Sequence, residues 1–142
     1  MANVHDVAAY ILEKMGALPA MKLQKLVYYS QAWSLVWDDE PLFPERVEAW
    51  ANGPVVPALY NSHQGEFKVS HLPEGKSSNL TPTQRETIDE VISFYGKHSS
   101  QWLSDLTHTE DPWIDARKGL ELRERGDREI THAAMAEYYS SL

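Results

Sequence analysis

The chain has 142 residues, 42% of them hydrophobic, with five Trp, seven Tyr, no Cys and a formal charge of −8 at pH 7. That length suits one domain spanning residues 1–142 around a single core, and the apolar fraction lets burial offset the entropy of ordering. The lack of Cys excludes a disulfide framework, a thiolate nucleophile and Cys-ligated zinc or iron–sulfur, while the acidic balance opposes non-specific nucleic-acid binding, which draws on Lys and Arg.

The opening residues carry no basic segment followed by an apolar run, and later apolar runs break well short of a membrane span, so a cytoplasmic protein with no membrane contact is expected. Asn3 can cap a first helix with Asp6 at its third position. Val7, Ala8, Ile11, Leu12 and Met15 then recur at three- and four-residue steps until Gly16 supplies a stop. Pro19 sits where a second helix can begin. From Ala20 to Trp37 that helix carries Leu23, Leu26, Val27, Ser30, Trp33 and Trp37 on one wide stripe, which predicts a central position with both tryptophans in the core. Asp38, Asp39, Glu40 and Pro41 end it, because negative charge opposes the macrodipole there and Pro cannot continue the ladder.

Val47, Ala49 and Ala51 alternate with Glu48, Trp50 and Asn52, a short strand near residues 46–52 leading to a turn at Gly53-Pro54. Pro57 permits a short helix to about Asn61, and His63 to Asn79 reads as loop with room for a hairpin strand. Thr81-Pro82-Thr83-Gln84 combines an N-cap, an N1 proline and a capping-box glutamine ahead of Ile88, Val91, Ile92 and Tyr95. Ser99 or Ser100 can cap a further helix, Thr109 another containing Pro112 and Trp113, and Thr131 a last one with Met135, Tyr138 and Tyr139. Arg117 to Glu129 alternates in sign and reads as a solvated helix end and loop. The expected fold is mainly α, a compact single-domain bundle of about six helices with one small β element.

No nucleophile elbow, phosphate-cradling loop or dinucleotide fingerprint occurs among the seven glycines, and the six histidines are dispersed with no four-residue pair. No catalytic residue, cofactor or metal site is therefore expected. Adjacent carboxylates at Asp38/Asp39, Asp89/Glu90 and Glu110/Asp111 point different ways on any regular element. A hydrolase or transferase using His108, Glu110 and Asp111 beside Trp113 stands as the competing reading.

Three blocks in order resemble one family. Lys22-Leu23-Gln24-Lys25-Leu26-Val27-Tyr28-Tyr29 resembles the Lys-Leu-x-Lys-Leu-x-Tyr stretch of the Panacea domain of SocA-like antitoxins. Glu48 to Tyr60, containing Gly53, Pro54 and Val55, resembles its second block, and Leu106 to Trp113, with His108, Glu110 and Pro112, its third. The resemblance implies a mainly helical domain, often carried on prophages, that neutralises a cognate toxin by direct protein contact; one branch delivers its toxin to a Clp-type protease. A prophage-encoded host-interaction protein is the alternative within this reading. No added DNA-binding module is seen, so repression by the chain alone is not expected.

Leu23, Leu26, Tyr29 and Trp113 have core-like spacing, whereas Lys22, Gln24, Lys25 and Tyr28 lie off the most apolar arc, open to contacts or to internal hydrogen bonds. Lys25 has a possible partner in a third-block carboxylate. For the docking surface, the reading nominates an exposed side of the second helix with Gln24, Tyr28 and Gln31, together with the Asp38-Asp39-Glu40 loop and Trp50, an aromatic anchor beside an acidic rim.

Overall fold

A computed structural model describes residues 2–142. The first helix, α1 (Val4–Met15), opens on a full capping box: the Asn3 side chain accepts from the Asp6 N–H, and the Asp6 carboxylate accepts from the Asn3 N–H. Gly16, at φ 78°, closes it with its N–H on the Leu12 carbonyl. A two-residue strand, β1 (Leu18–Pro19), leads into the long helix α2 (Ala20–Trp37).

The chain then forms β2 (Val47–Trp50), β3 (Gly53–Val55), α3 (Pro57–His63), β4 (Lys68–Val69) and a 3₁₀ turn at Ser77–Asn79. After it come α4 (Pro82–Tyr95), α5 (Ser100–Thr107), α6 (Asp111–Ala116), β5 (Glu129–Ile130) and α7 (His132–Ser140). Thr81 and Gln84 form the predicted capping box of α4, and Ser99 and Thr131 cap α5 and α7. Among the described residues, seven α-helices and two small antiparallel sheets make the fold predominantly α. One sheet has the order β3-β2-β5; the other pairs β1 with β4, Leu18 opposite Val69.

Helix α2 is the spine. It packs against α1, α4, α5, α7, β1, β3 and β4, and every residue from Leu23 to Ala32 is buried. The wide stripe read from its sequence is thus a lower bound, since a helix enclosed on all sides buries its polar positions too.

Four local expectations need correction. Gly53 and Pro54 are not a turn: the reversal falls at Ala51-Asn52, and Gly53 and Pro54 pair with Trp50 and Ala49 as the start of β3. Trp37 is not core but 50% exposed, because it is the last residue of α2 and projects past the bundle, stacked on Trp33 at 5.0 Å between centroids. Thr109 does not cap α6. Its hydroxyl turns back to the Leu106 carbonyl, and Glu110 occupies the N-cap without a side-chain bond to the helix N–H groups. The stretch after α6 is not merely solvated, for Arg117 is buried and its guanidinium donates to the carbonyls of Ala49, Glu121, Leu122 and Glu124. Five donors on a rigid fork let one arginine fasten that segment to β2.

Gly53 is held at φ +121°, and a Cβ there would lie 2.5 Å from Lys25 Cε and 3.0 Å from Thr107 Oγ1. Gly53→Ala should therefore cost about 2 to 4 kcal/mol in urea unfolding. Gly119→Ala is the control, at φ +91° but with nothing within 4 Å, and should cost about 1 kcal/mol. Equal losses at the two sites would show that backbone strain alone, and not the approach of Lys25, demands glycine at 53.

Candidate partner-binding groove

The polar side chains of α2 reach inward. Gln24, Tyr28 and Gln31, expected on an exposed face, are all fully buried. The reason is geometric: the positions off the most apolar arc of α2 face β3, α3 and the loop after α2, not water. Gln24 accepts from the Val56 N–H through Oε1 at 2.9 Å, and its Nε2 lies 3.0 Å from His63 Nε2. Gln31 accepts from Leu42 N–H at 2.7 Å and donates to the Phe43 carbonyl at 2.9 Å, clamping the segment that follows α2. Lys22, at the start of the motif, donates to the Gly96 carbonyl at the end of α4.

Lys25 does not pair with the third block. Its Nζ donates to the Pro54 carbonyl at 3.1 Å, deep between α2 and β3, and burial pulls its pKa down to about 7. Glu110 is instead the sink of a tyrosine network: Tyr29 Oη donates to its Oε1 at 2.7 Å and Tyr139 Oη to the same oxygen at 2.8 Å. Because the Tyr139 proton is committed there, the 3.0 Å contact between Tyr28 and Tyr139 has Tyr28 as donor. Burial raises the Glu110 carboxyl above its ordinary value, and the two hydroxyls partly offset this.

The third block sends its polar side chains in different directions, and His108 Nε2 is buried without a hydrogen-bond partner among the described residues. His108 stacks on Trp113, ring centroids 4.0 Å apart, and its pKa is lowered first by burial and then by the nearby Lys25 and Arg117 charges. Glu110 points into the tyrosines, Asp111 is exposed, and Pro112 and Trp113 are packed inside. Trp113 Nε1 donates to the Trp50 carbonyl at 2.8 Å, so this block braces β2. The polar cluster on which the hydrolase reading relied is not formed.

An open concave feature lies elsewhere. A cleft of about 670 Å³ runs between β2, the start of β3 and α3 on one side and the 125–127 loop on the other. Met21, Trp50, Val55 and Tyr60 supply its apolar wall, and Glu48, Asn52, Arg125 and Asp127 its polar edge. Met21 and Tyr60 also line a second cleft of about 380 Å³ that continues past His63 to Glu66 and Phe67. Phe67 is 83% exposed. Trp50 is half-buried, its ring edge-on to Tyr60 at 4.9 Å between centroids and its Nε1 donating to Glu48 Oε1 at 2.9 Å.

Of the residues nominated for docking, only Trp50 lines this groove. Asp38 is half-buried and accepts from Thr87 Oγ1, and Asp39 and Glu40 are exposed beyond the end of α2, none of them on the groove wall. In the sequence Tyr60 stands out only as a motif residue, and nothing singles out Met21 or the 125–127 loop; the one signal is a lone aromatic, Phe67, within a polar loop.

Among the described residues no cluster of His, Asp and Glu could hold a metal ion, and no helix is long and apolar enough to cross a membrane. A family model described as "Antitoxin SocA-like, Panacea domain" matches residues 23–114, more than half of the chain. No curated protein and no solved structure gives a significant match.

Two predictions follow from the buried charges. The unfolded chain keeps a proton on Lys25 up to its ordinary value of 10.5, whereas the folded chain loses it at about 7, so the unfolded state binds more protons in between and stability rises with pH there. The urea midpoint should increase from about pH 7 to about pH 9, below the onset of tyrosine ionisation in the unfolded chain, and Lys25→Met should flatten that slope. A flat or falling wild-type midpoint would contradict the buried lysine. Glu110→Ala should cost about 2 to 4 kcal/mol by stranding the hydroxyls of Tyr29 and Tyr139, while Glu110→Gln, which keeps an acceptor, should cost less than about 1 kcal/mol; comparable losses in thermal or urea unfolding would refute the network.

Proposed function

The chain belongs to the SocA-like antitoxin family through its Panacea domain, and from that premise we propose that it neutralises a cognate toxin by direct, stoichiometric binding in the cytoplasm, without chemistry of its own. The family match over residues 23–114 carries this reading. The interior supports it: Gln24 is spent on Val56, Lys25 on Pro54, and Glu110 on Tyr29 and Tyr139, so these polar groups of the blocks serve the fold. What the blocks leave open to solvent is an aromatic groove edged by Trp50 and Tyr60. A half-open apolar wall within a polar rim is the form of a protein-binding patch.

The test is co-expression with the product of the adjoining gene. That product alone should arrest growth, this chain should restore it, and the two should co-elute on size exclusion as one complex. Repeating the rescue in a Clp-deficient host separates occlusion from delivery: rescue that persists there means binding suffices. A neighbour that is harmless alone, or a toxin neither relieved nor bound, would remove the antitoxin reading.

A further inference from the structure

We infer that the groove running from Asp127 past Trp50, Tyr60 and Met21 to Phe67 holds an extended segment of the toxin in which a bulky apolar side chain is flanked by Lys or Arg. This rests on the antitoxin reading and adds to it the place and chemistry of contact.

The apolar anchor follows from the way the wall is built. Trp50 is fixed on three sides: its carbonyl takes the Trp113 N–H, its indole N–H is satisfied by Glu48, and its ring abuts Tyr60. With the indole donor already paired, the ring can be covered without stranding a polar group, and little side-chain freedom is left to lose on binding. Met21, shared by both clefts, joins this wall to Phe67, whose exposed ring extends the apolar surface at the far end.

The basic flanks follow from charge. Along the joined groove the acids are Glu48, Glu66 and Asp127, and Arg125 is the one Lys or Arg among the lining residues. Arg46, off the groove, already balances Glu48 at 3.0 Å. Among the described residues neither Glu66 nor Asp127 has an ion-pair partner; Asp127 shares its end of the groove with Arg125, and Glu66 is left as the unbalanced carboxylate at the other. Such a rim, acidic in sum, repels phosphate and favours a cationic side chain beside the anchor, most of all at Glu66. At the edge between them, the Asn52 side chain has no hydrogen bond among the described residues, and an amide offers both a donor and an acceptor to a passing peptide backbone.

The experiment measures the dissociation constant of the toxin for the wild-type chain and for Trp50→Ala, Phe67→Ser, the pair Glu66→Lys with Asp127→Lys, and the control pair Asp39→Lys with Glu40→Lys. Thermal midpoints are recorded alongside. Phe67→Ser touches an exposed side chain and keeps the test valid should Trp50→Ala unfold. Each of the three groove variants is expected to weaken binding about tenfold or more. The loss from Glu66→Lys with Asp127→Lys should shrink as salt is added, and the control pair should stay within a few-fold of wild type. Labelled peptides tiling the toxin should show binding confined to a segment with a Lys or Arg beside an aromatic or large aliphatic residue.

If the toxin binds wild type and folded groove variants alike, or the captured peptide is acidic, or the control pair loses as much as the groove pair, the inference falls while the antitoxin reading stands. If the free chain is a dimer that Phe67→Ser dissociates, the groove belongs to a second copy and the inference falls. If wild type neither binds nor relieves the toxin, both fall together.

Discussion

Helix α2 is enclosed on nearly every side, and each polar side chain it carries inside must recover within the protein the hydrogen bonds it gave up to water. Tyr28 and Tyr29 find side chains, Tyr139 and Glu110, and Ser30 the Leu26 carbonyl of its own helix, whereas Gln24, Lys25 and Gln31 reach backbone groups of segments that are not helical. Gln24 takes both polar groups of Val56, Lys25 takes the Pro54 carbonyl, and Gln31 takes three groups of Leu42 and Phe43. Chain that would otherwise bury unsatisfied amides is thereby pinned to the spine, and the small β element keeps its place in a helical bundle. Lys25 and Gln24 also occupy polar groups at and just beyond β3, a strand that pairs on one side only, with β2.

The arrangement has a cost, concentrated at two sites. Lys25 is held without a carboxylate partner, and only glycine at 53 leaves room for its stem. Glu110 is held without a cation, its carboxyl accepting from Tyr29 and Tyr139 and, through Tyr139, linked to Tyr28. Stacking of Tyr29 on Tyr95 and the edge contacts among Tyr28, Tyr29 and Tyr139 complete an aromatic interior in which every hydroxyl has a partner. Such a network is worth most when it is complete, since one missing member strands its neighbours.

The residues that carry the family likeness therefore mostly build the scaffold. Lys22, Leu23, Lys25, Leu26, Tyr29, Gly53, Pro54, Glu110, Pro112 and Trp113 all pack or bond inside. The open clefts are lined by a thinner set of side chains: Trp50 and Tyr60 from the second block, with Met21, Phe67 and the 125–127 loop from outside the motifs. The loop-borne part of that lining, Phe67 and residues 125–127, can change its chemistry without disturbing the spine.

Local signals determined the helices by themselves. Asn3 with Asp6, Gly16, Pro41 after the acidic run, and Thr81-Pro82 with Gln84 mark starts and stops through bonds made within a few residues, so those boundaries were legible without tertiary context. The alternation at Val47 to Trp50 likewise showed β2. Periodicity could not say how many faces of α2 are covered, because an enclosed helix and a one-sided one share the same apolar stripe; that is why Gln24, Tyr28 and Gln31 read as surface and proved to be interior. Nor could it show that Arg117 reaches back to Ala49, that Glu110 meets Tyr29 and Tyr139, or that Tyr60 lines one cleft with Trp50 and a second with Phe67. Those meetings join residues far apart in the chain, and only the packing of α2 against everything around it brings them together.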